Sequence, residues 1–119
     1  MADYWKESPP ILREFLNYHE SILSHSAQTV DEYFLDLRGF FRYLKMTRNP
    51  DLADVPFQEI SILDVDLDFA SKTQLSEIYG FLTFLTGGGA FGKAESTTRA
   101  RKCASIRSFY NYLCVHARV

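Results

Sequence analysis

The stretch "GGGAFGKAESTTRARK", residues 87–102, sets glycines beside Lys93 and follows them with a run of cations, a composition suited to holding phosphate. That phosphate could belong to a bound nucleotide or to a nucleic-acid backbone. As a nucleotide loop the stretch falls one residue short. Gly87, four residues and Gly92-Lys93 fit the pattern, but Ala94 stands where a Ser or Thr hydroxyl would hold Mg²⁺. The pattern also requires a buried strand ahead of the loop, and "YGFLTFLT" has helical spacing instead. No nucleotide is expected.

Other chemistry finds no better footing. Asp64, Asp66 and Asp68 match the first positions of a calcium loop, but Phe69 replaces its glycine and Leu75 its glutamate. His19, His25 and His116 share no metal-ligand spacing, and there is no C-x-x-C, no H-E-x-x-H and no glycine-flanked serine. No catalytic residue, metal or cofactor is expected, and the chain is not read as an enzyme. Cys103 and Cys114, eleven apart on one predicted helix, stand roughly 16 Å apart, too far for a disulfide.

The nucleic-acid alternative gains from the charge distribution. From residue 93 onward the chain holds Lys93, Arg99, Arg101, Lys102, Arg107 and Arg118 against Glu95 alone, while the rest is acidic. A helical wheel of the last segment, with Cys103, Ile106, Tyr110 and Leu113 inward, turns Arg101, Ala104, Ser105, Ser108, Asn111 and Tyr112 outward. Lys102 and Arg107 flank that face. Thr97 and Thr98 sit at the helix start, where free N–H groups favour an anion. Small residues with cations beside them can lie close inside a major groove. An ordinary solvated surface is the alternative, although such a face would carry mixed Glu and Lys.

The elements that position these residues are helical. Ser8 is placed to cap a first helix with Ile11, Leu12, Phe15, Leu16, Ile22 and Leu23 inward. The second, capped by Ser26 or Thr29, has the clearest stripe: Val30, Tyr33, Phe34, Leu37, Phe40, Phe41 and Leu44. Asn49-Pro50 stops it. Residues 51–72 read as extended linker, with a helical turn around 57–61. Leu75, Ile78, Tyr79, Leu82 and Leu85 mark a third helix, ended by Gly87–Gly89, and the fourth runs from about Thr97 to His116. Ten Phe and seven Tyr in 119 residues supply one aromatic core. The fold class is an all-α bundle of four helices with room for an extra short one, in a single domain over 1–119. No stretch is apolar enough for a membrane span, and "MADYWKESPP" carries no secretory h-region, so a cytoplasmic location is expected.

"SHSAQTVDEYFLDLRGFFRYL" followed by "STTRARKCASIRSFYNYL" resembles the N-terminal core-binding domain of tyrosine recombinases, the Xer and phage-integrase group. The matching positions are Thr29, Tyr33, Asp36-Leu37 and Phe40, then Thr98, Arg101-Lys102, Ile106-Arg107-Ser108-Phe109 and Leu113. The resemblance implies a SAM-like orthogonal bundle whose second and last helices approach the major groove of double-stranded DNA. A separate catalytic domain, absent from this chain, would clamp the other side of the recombination site, and the parent would oligomerise on DNA. Thr29, Thr98, Arg101 and Lys102 become expected DNA contacts by the motif. Ser105 and Ser108 join from the wheel, Thr97 from the helix start, and Lys93 and Arg99 from the basic quarter. Where the family often has basic residues after the helix-two Tyr, Phe34 and Leu35 stand here, leaving Gln28, Thr29 and Arg38 as that helix's candidates. The chain stops at Val119, where an interdomain linker would begin, so it is expected to be a fragment without strand-cleaving activity. An Asp36–Arg107 ion pair is expected to fix the angle between the two DNA-facing helices. The alternatives are a small helix-turn-helix regulator, disfavoured by the long glycine-rich connection, and a helical protein–protein interaction domain.

Overall fold

The computed structural model describes residues 4–87 and 96–117. Its α-helices are α1 (Tyr4–Glu7), α2 (Pro10–Asn17), α3 (Ala27–Arg48), α4 (Leu67–Ser71), α5 (Leu75–Thr86) and α6 (Ser96–Tyr112). No strand occurs among the described residues, and the protein is an all-α bundle.

α3 is the hub on which α2, α5 and α6 pack. Ser26 caps it, its Oγ accepting from the Thr29 N–H at 3.2 Å. Its far end comes at Asn49, which is extended because the residue before a proline is sterically excluded from the helical region. Between these ends Val30, Phe34, Leu37, Phe40, Phe41 and Leu44 are all fully buried, as the stripe requires. Phe109 of α6 bridges the layers, its ring edge-on to Phe15 of α2 at 5.3 Å and to Phe41 of α3 at 5.4 Å.

Several local expectations are corrected. Pro9, not Ser8, occupies the N-cap of α2, and the Ser8 Oγ is buried without a hydrogen-bond partner. α2 runs into a π-helical turn, Tyr18–Ile22, closed by Leu23 N–H donating to Tyr18 O at 3.1 Å. The wider turn shifts the helical phase, so Ile22 and Leu23 face solvent while His19 is buried. On α5 the buried side chains are Phe81 and Leu85, whereas Leu75 and Tyr79 are exposed.

The connection from 51 to 72 is more ordered than a linker. Short 3₁₀ turns form at Pro50–Leu52 and Phe57–Glu59, the latter close to the expected helical turn. α4 was hidden behind an alternating pattern. It forms because the Asp66 carboxylate accepts from the Phe69 N–H at 2.8 Å, capping the turn that buries Ala70. The other two aspartates are engaged in ion pairs, Asp64 with Lys45 and Asp68 with Lys72.

At Gly80, α5 comes close to Tyr43 of α3. A Cβ there would lie 2.5 Å from the Tyr43 hydroxyl, and the Tyr43 ring is held against Phe81 and Phe84 at 5.5 and 5.3 Å. Alanine ordinarily improves a helix interior by about 1 kcal/mol. Here the displaced ring outweighs that gain, and Gly80→Ala is expected to destabilise by about 1 kcal/mol net. A raised melting temperature would mean that the ring swings aside freely.

Candidate nucleic-acid interface

Of the expected contact residues, Thr29, Arg101, Lys102 and Ser105 meet at the seam between α3 and α6. Its centre is Asp36, whose carboxylate is only 1% exposed. The Arg101 Nη1 donates to both of its oxygens, at 2.9 and 2.7 Å. Lys102 Nζ donates to Oδ1 at 3.0 Å and Ser105 Oγ to Oδ2 at 2.7 Å. A carboxylate buried this deeply must be compensated, and two cations and a hydroxyl from the facing helix do so. The cluster locks the relative placement of the two helices.

This geometry corrects the expected Asp36–Arg107 pair. Arg107, six residues beyond Arg101 on the same helix, projects elsewhere and lines an apolar groove with Leu75, Ile78, Tyr79 and Cys103. The wheel was also misphased. Ser105, Ile106 and Phe109 form the buried face, so Ser105 lies beneath the surface instead of on it. Tyr112, expected outward, packs against Phe15, Tyr18 and His116.

On the surface above Asp36, Thr29, Glu32, Tyr33, Arg101 and Ala104 border a cleft of about 190 Å³. Gln28 is exposed one helical turn before Glu32, and Thr97 is exposed one turn before Arg101. Thr98, Arg99 and Ser108 are half-buried along α6. Arg101 keeps 44% of its side chain exposed, whereas Lys102 keeps 12%. Lys93 lies outside the described residues. Arg38 is engaged on the opposite edge of α3, donating from Nη1 to both Glu7 oxygens at 3.0 and 3.2 Å and covering the Phe34 ring. Glu32 was missed by sequence reading because an exposed acid on a helix carries no signal until its neighbours are known.

At the start of α3, His19 is buried among Phe15, Tyr18 and Tyr33, with its Nδ1 3.0 Å from the Nδ1 of His25. Burial first, and His25 second, hold the His19 pKa below its ordinary value. The unfolded chain therefore takes this proton first as pH falls. The stability contributed is complete above the unfolded pKa of 6.5 and is lost as pH drops from there towards the folded value. Thermal melts between about pH 7.5 and 5.5 should show the decline, and His19→Phe should flatten it. An equal decline in the variant would place its origin elsewhere.

Among the described residues no three His, Cys, Asp or Glu side chains converge as metal ligands, and no helix is long and apolar enough to cross a membrane. No protein-family model and no solved structure matches the chain. Two curated relatives do. One is Tyrosine recombinase XerC of Caldanaerobacter subterraneus subsp. tengcongensis, 45% identical over 111 residues, or 93% of this chain and 31% of that protein. The other is Tyrosine recombinase XerC of Chlorobaculum tepidum, 32% identical over 102 residues, or 86% of this chain and 26% of that protein. The chain thus spans about a third or less of the length of the relatives it matches.

Proposed function

Because the chain resembles a fragment of a tyrosine recombinase over most of its length, we propose that it is the core-binding module of such an enzyme. It holds double-stranded DNA through the major groove with α3 and α6, and it works beside a catalytic domain that these residues do not supply. The observation that carries this reading is the identity to a recombinase across 93% of the chain. The seam supports it from the other side: α6 presents Arg101 among the small residues Thr97, Ala104 and Ser108, next to the first turn of α3. Phosphates would be held by Lys, hydroxyls and backbone N–H groups, and base edges by the exposed guanidinium. The parent enzyme would assemble as several copies on DNA and act in the cytoplasm.

An amide NMR titration of the 119-residue chain with an arbitrary duplex at low salt tests the reading. Shifts are expected at Gln28–Tyr33 and Thr97–Ser108, weakening as salt is raised because binding releases counterions from the phosphates. No shift at those amides in excess duplex would overturn it. A protein-interaction domain is the second reading, favoured by the groove beside the exposed Leu75 and Tyr79. It predicts indifference to DNA.

A further inference from the structure

Resting on the DNA-binding reading above, we propose that Arg101 reads a guanine through its Nε–Nη2 edge, and that Asp36 is the positioning residue that presents this edge. The distances show how. A guanidinium can meet a carboxylate with two nitrogens side by side, which would occupy its fork. Arg101 instead meets Asp36 with one nitrogen, Nη1, at 2.9 and 2.7 Å from the two oxygens. Nη1 has two of the five guanidinium N–H groups, so the three on Nε and Nη2 make no bond to Asp36. Those two nitrogens form the planar donor pair that matches O6 and N7 of guanine in the major groove.

The carboxylate behind this arrangement is fixed. It is 1% exposed, and Lys102 and Ser105 hold its oxygens at 3.0 and 2.7 Å. The Arg101 side chain it holds is 44% exposed. The charge balance separates base reading from simple phosphate attraction. A surface made only to attract phosphate gains from every uncompensated cation. Here a buried acid sits beneath two cations, weakening the sequence-independent attraction. In return, the long side chain is already ordered before DNA arrives, which lowers the cost of ordering it on binding. Direction is gained at the expense of charge.

The test presents the 119-residue chain and two variants with a pool of duplexes carrying a randomised core, and the bound fraction is sequenced. The wild-type chain should enrich guanine at one position. Arg101→Gln, which leaves Lys102 and Ser105 on the Asp36 carboxylate, should lose that preference. Glutamine matches N6 and N7 of adenine, so adenine is the base expected to replace it. Asp36→Asn keeps the shape and an acceptor for Nη1 but removes the negative charge. Its affinity for a fixed random-sequence duplex should rise about 2- to 10-fold, with a salt dependence steeper by about one unit, while guanine enrichment falls. An Asp36 that merely supported the fold would lower affinity for every duplex and leave the salt slope unchanged, and that result would overturn the positioning role. Undiminished guanine enrichment in Arg101→Gln, or a wild-type chain that binds duplex without enriching any base, would overturn the base-reading role. Failure of the wild-type chain to bind any duplex at low salt would instead retract the DNA-binding reading on which the proposal rests.

Discussion

Phe109→Ala is expected to destabilise the protein by about 3–5 kcal/mol, the range for emptying a buried phenylalanine site. The reason is where the ring stands. Phe109 is fully buried on α6, and its edges meet Phe15 of α2 and Phe41 of α3 at 5.3 and 5.4 Å. Truncation therefore opens a void where three helices meet, and none of them can move in without losing contact with another. Domains of this size have total stabilities of about 5–15 kcal/mol, so the loss is a large share of the whole. The midpoint of urea unfolding should fall sharply with little change in slope. Tyr79→Ser, at an exposed aromatic on α5, should change stability by no more than about 0.5 kcal/mol. Similar losses for the two variants would refute the assignment of Phe109 as the centre of the core.

The second large effect is expected at Arg48, in the last turn of α3. Its Nε and Nη2 donate to the two Glu77 oxygens at 2.8 and 2.9 Å, Nη1 to the Phe69 carbonyl at 2.9 Å and Nη2 to Thr73 Oγ1 at 3.2 Å. The guanidinium also covers the Phe69 ring, 4.4 Å from its centroid. One side chain thus ties α3 to α4, to the turn after it and to the start of α5. Arg48→Met keeps the stem and removes the bonds, leaving a part-buried carboxylate and a carbonyl without that donor. We expect a loss of about 2–4 kcal/mol at neutral pH. The loss should depend on pH in a definite direction. The hydrogen bond from Arg48, against an opposing effect of burial, holds the Glu77 carboxyl below its ordinary value of 4.5. Stability from this group is therefore present above 4.5 and disappears as pH falls through the folded value. Unfolding midpoints of wild type and Arg48→Met should converge in acid; a constant gap would mean that the Glu77 charge is not what Arg48 stabilises.

What could be read from the sequence depended on how strongly one physical signal dominated. In α3 the apolar residues return at helical spacing over four turns, and the buried set follows that stripe closely, with Tyr33 at its edge. In α6 the signal was divided. Tyr110 looked like a core residue, but its hydroxyl reaches the Ala70 carbonyl and Thr73 Oγ1, both at 2.8 Å, so it lies along the rim. Phe109 sets the true inward direction, and Ser105 follows it beneath the surface. That small error in azimuth is also why Arg107 was paired with Asp36 in place of Arg101 and Lys102. A buried acid on α3 implies a cation opposite, and the sequence places three within reach along α6; only the rotation of the helix decides among them. α4 was missed for a different reason. Its apolar residues alternate as in a strand, and the capping bond from Asp66 overrides that pattern.

The wide turn at Tyr18–Ile22 has a consequence for how length change is tolerated in this chain. It holds one residue more than a regular helical turn, and so acts as slack stored inside a helix. Loss of a single residue there would not break the segment; it would rewind it to regular α-helix. Because the residue lost is the extra one, the segment up to Ser26 keeps its direction and phase. Ile22 and Leu23 would still face solvent, and α3 would be entered from the same angle. A gap of one residue at this joint is therefore absorbed where it falls, whereas the same loss inside α3 would turn every later side chain of that helix by about 100°.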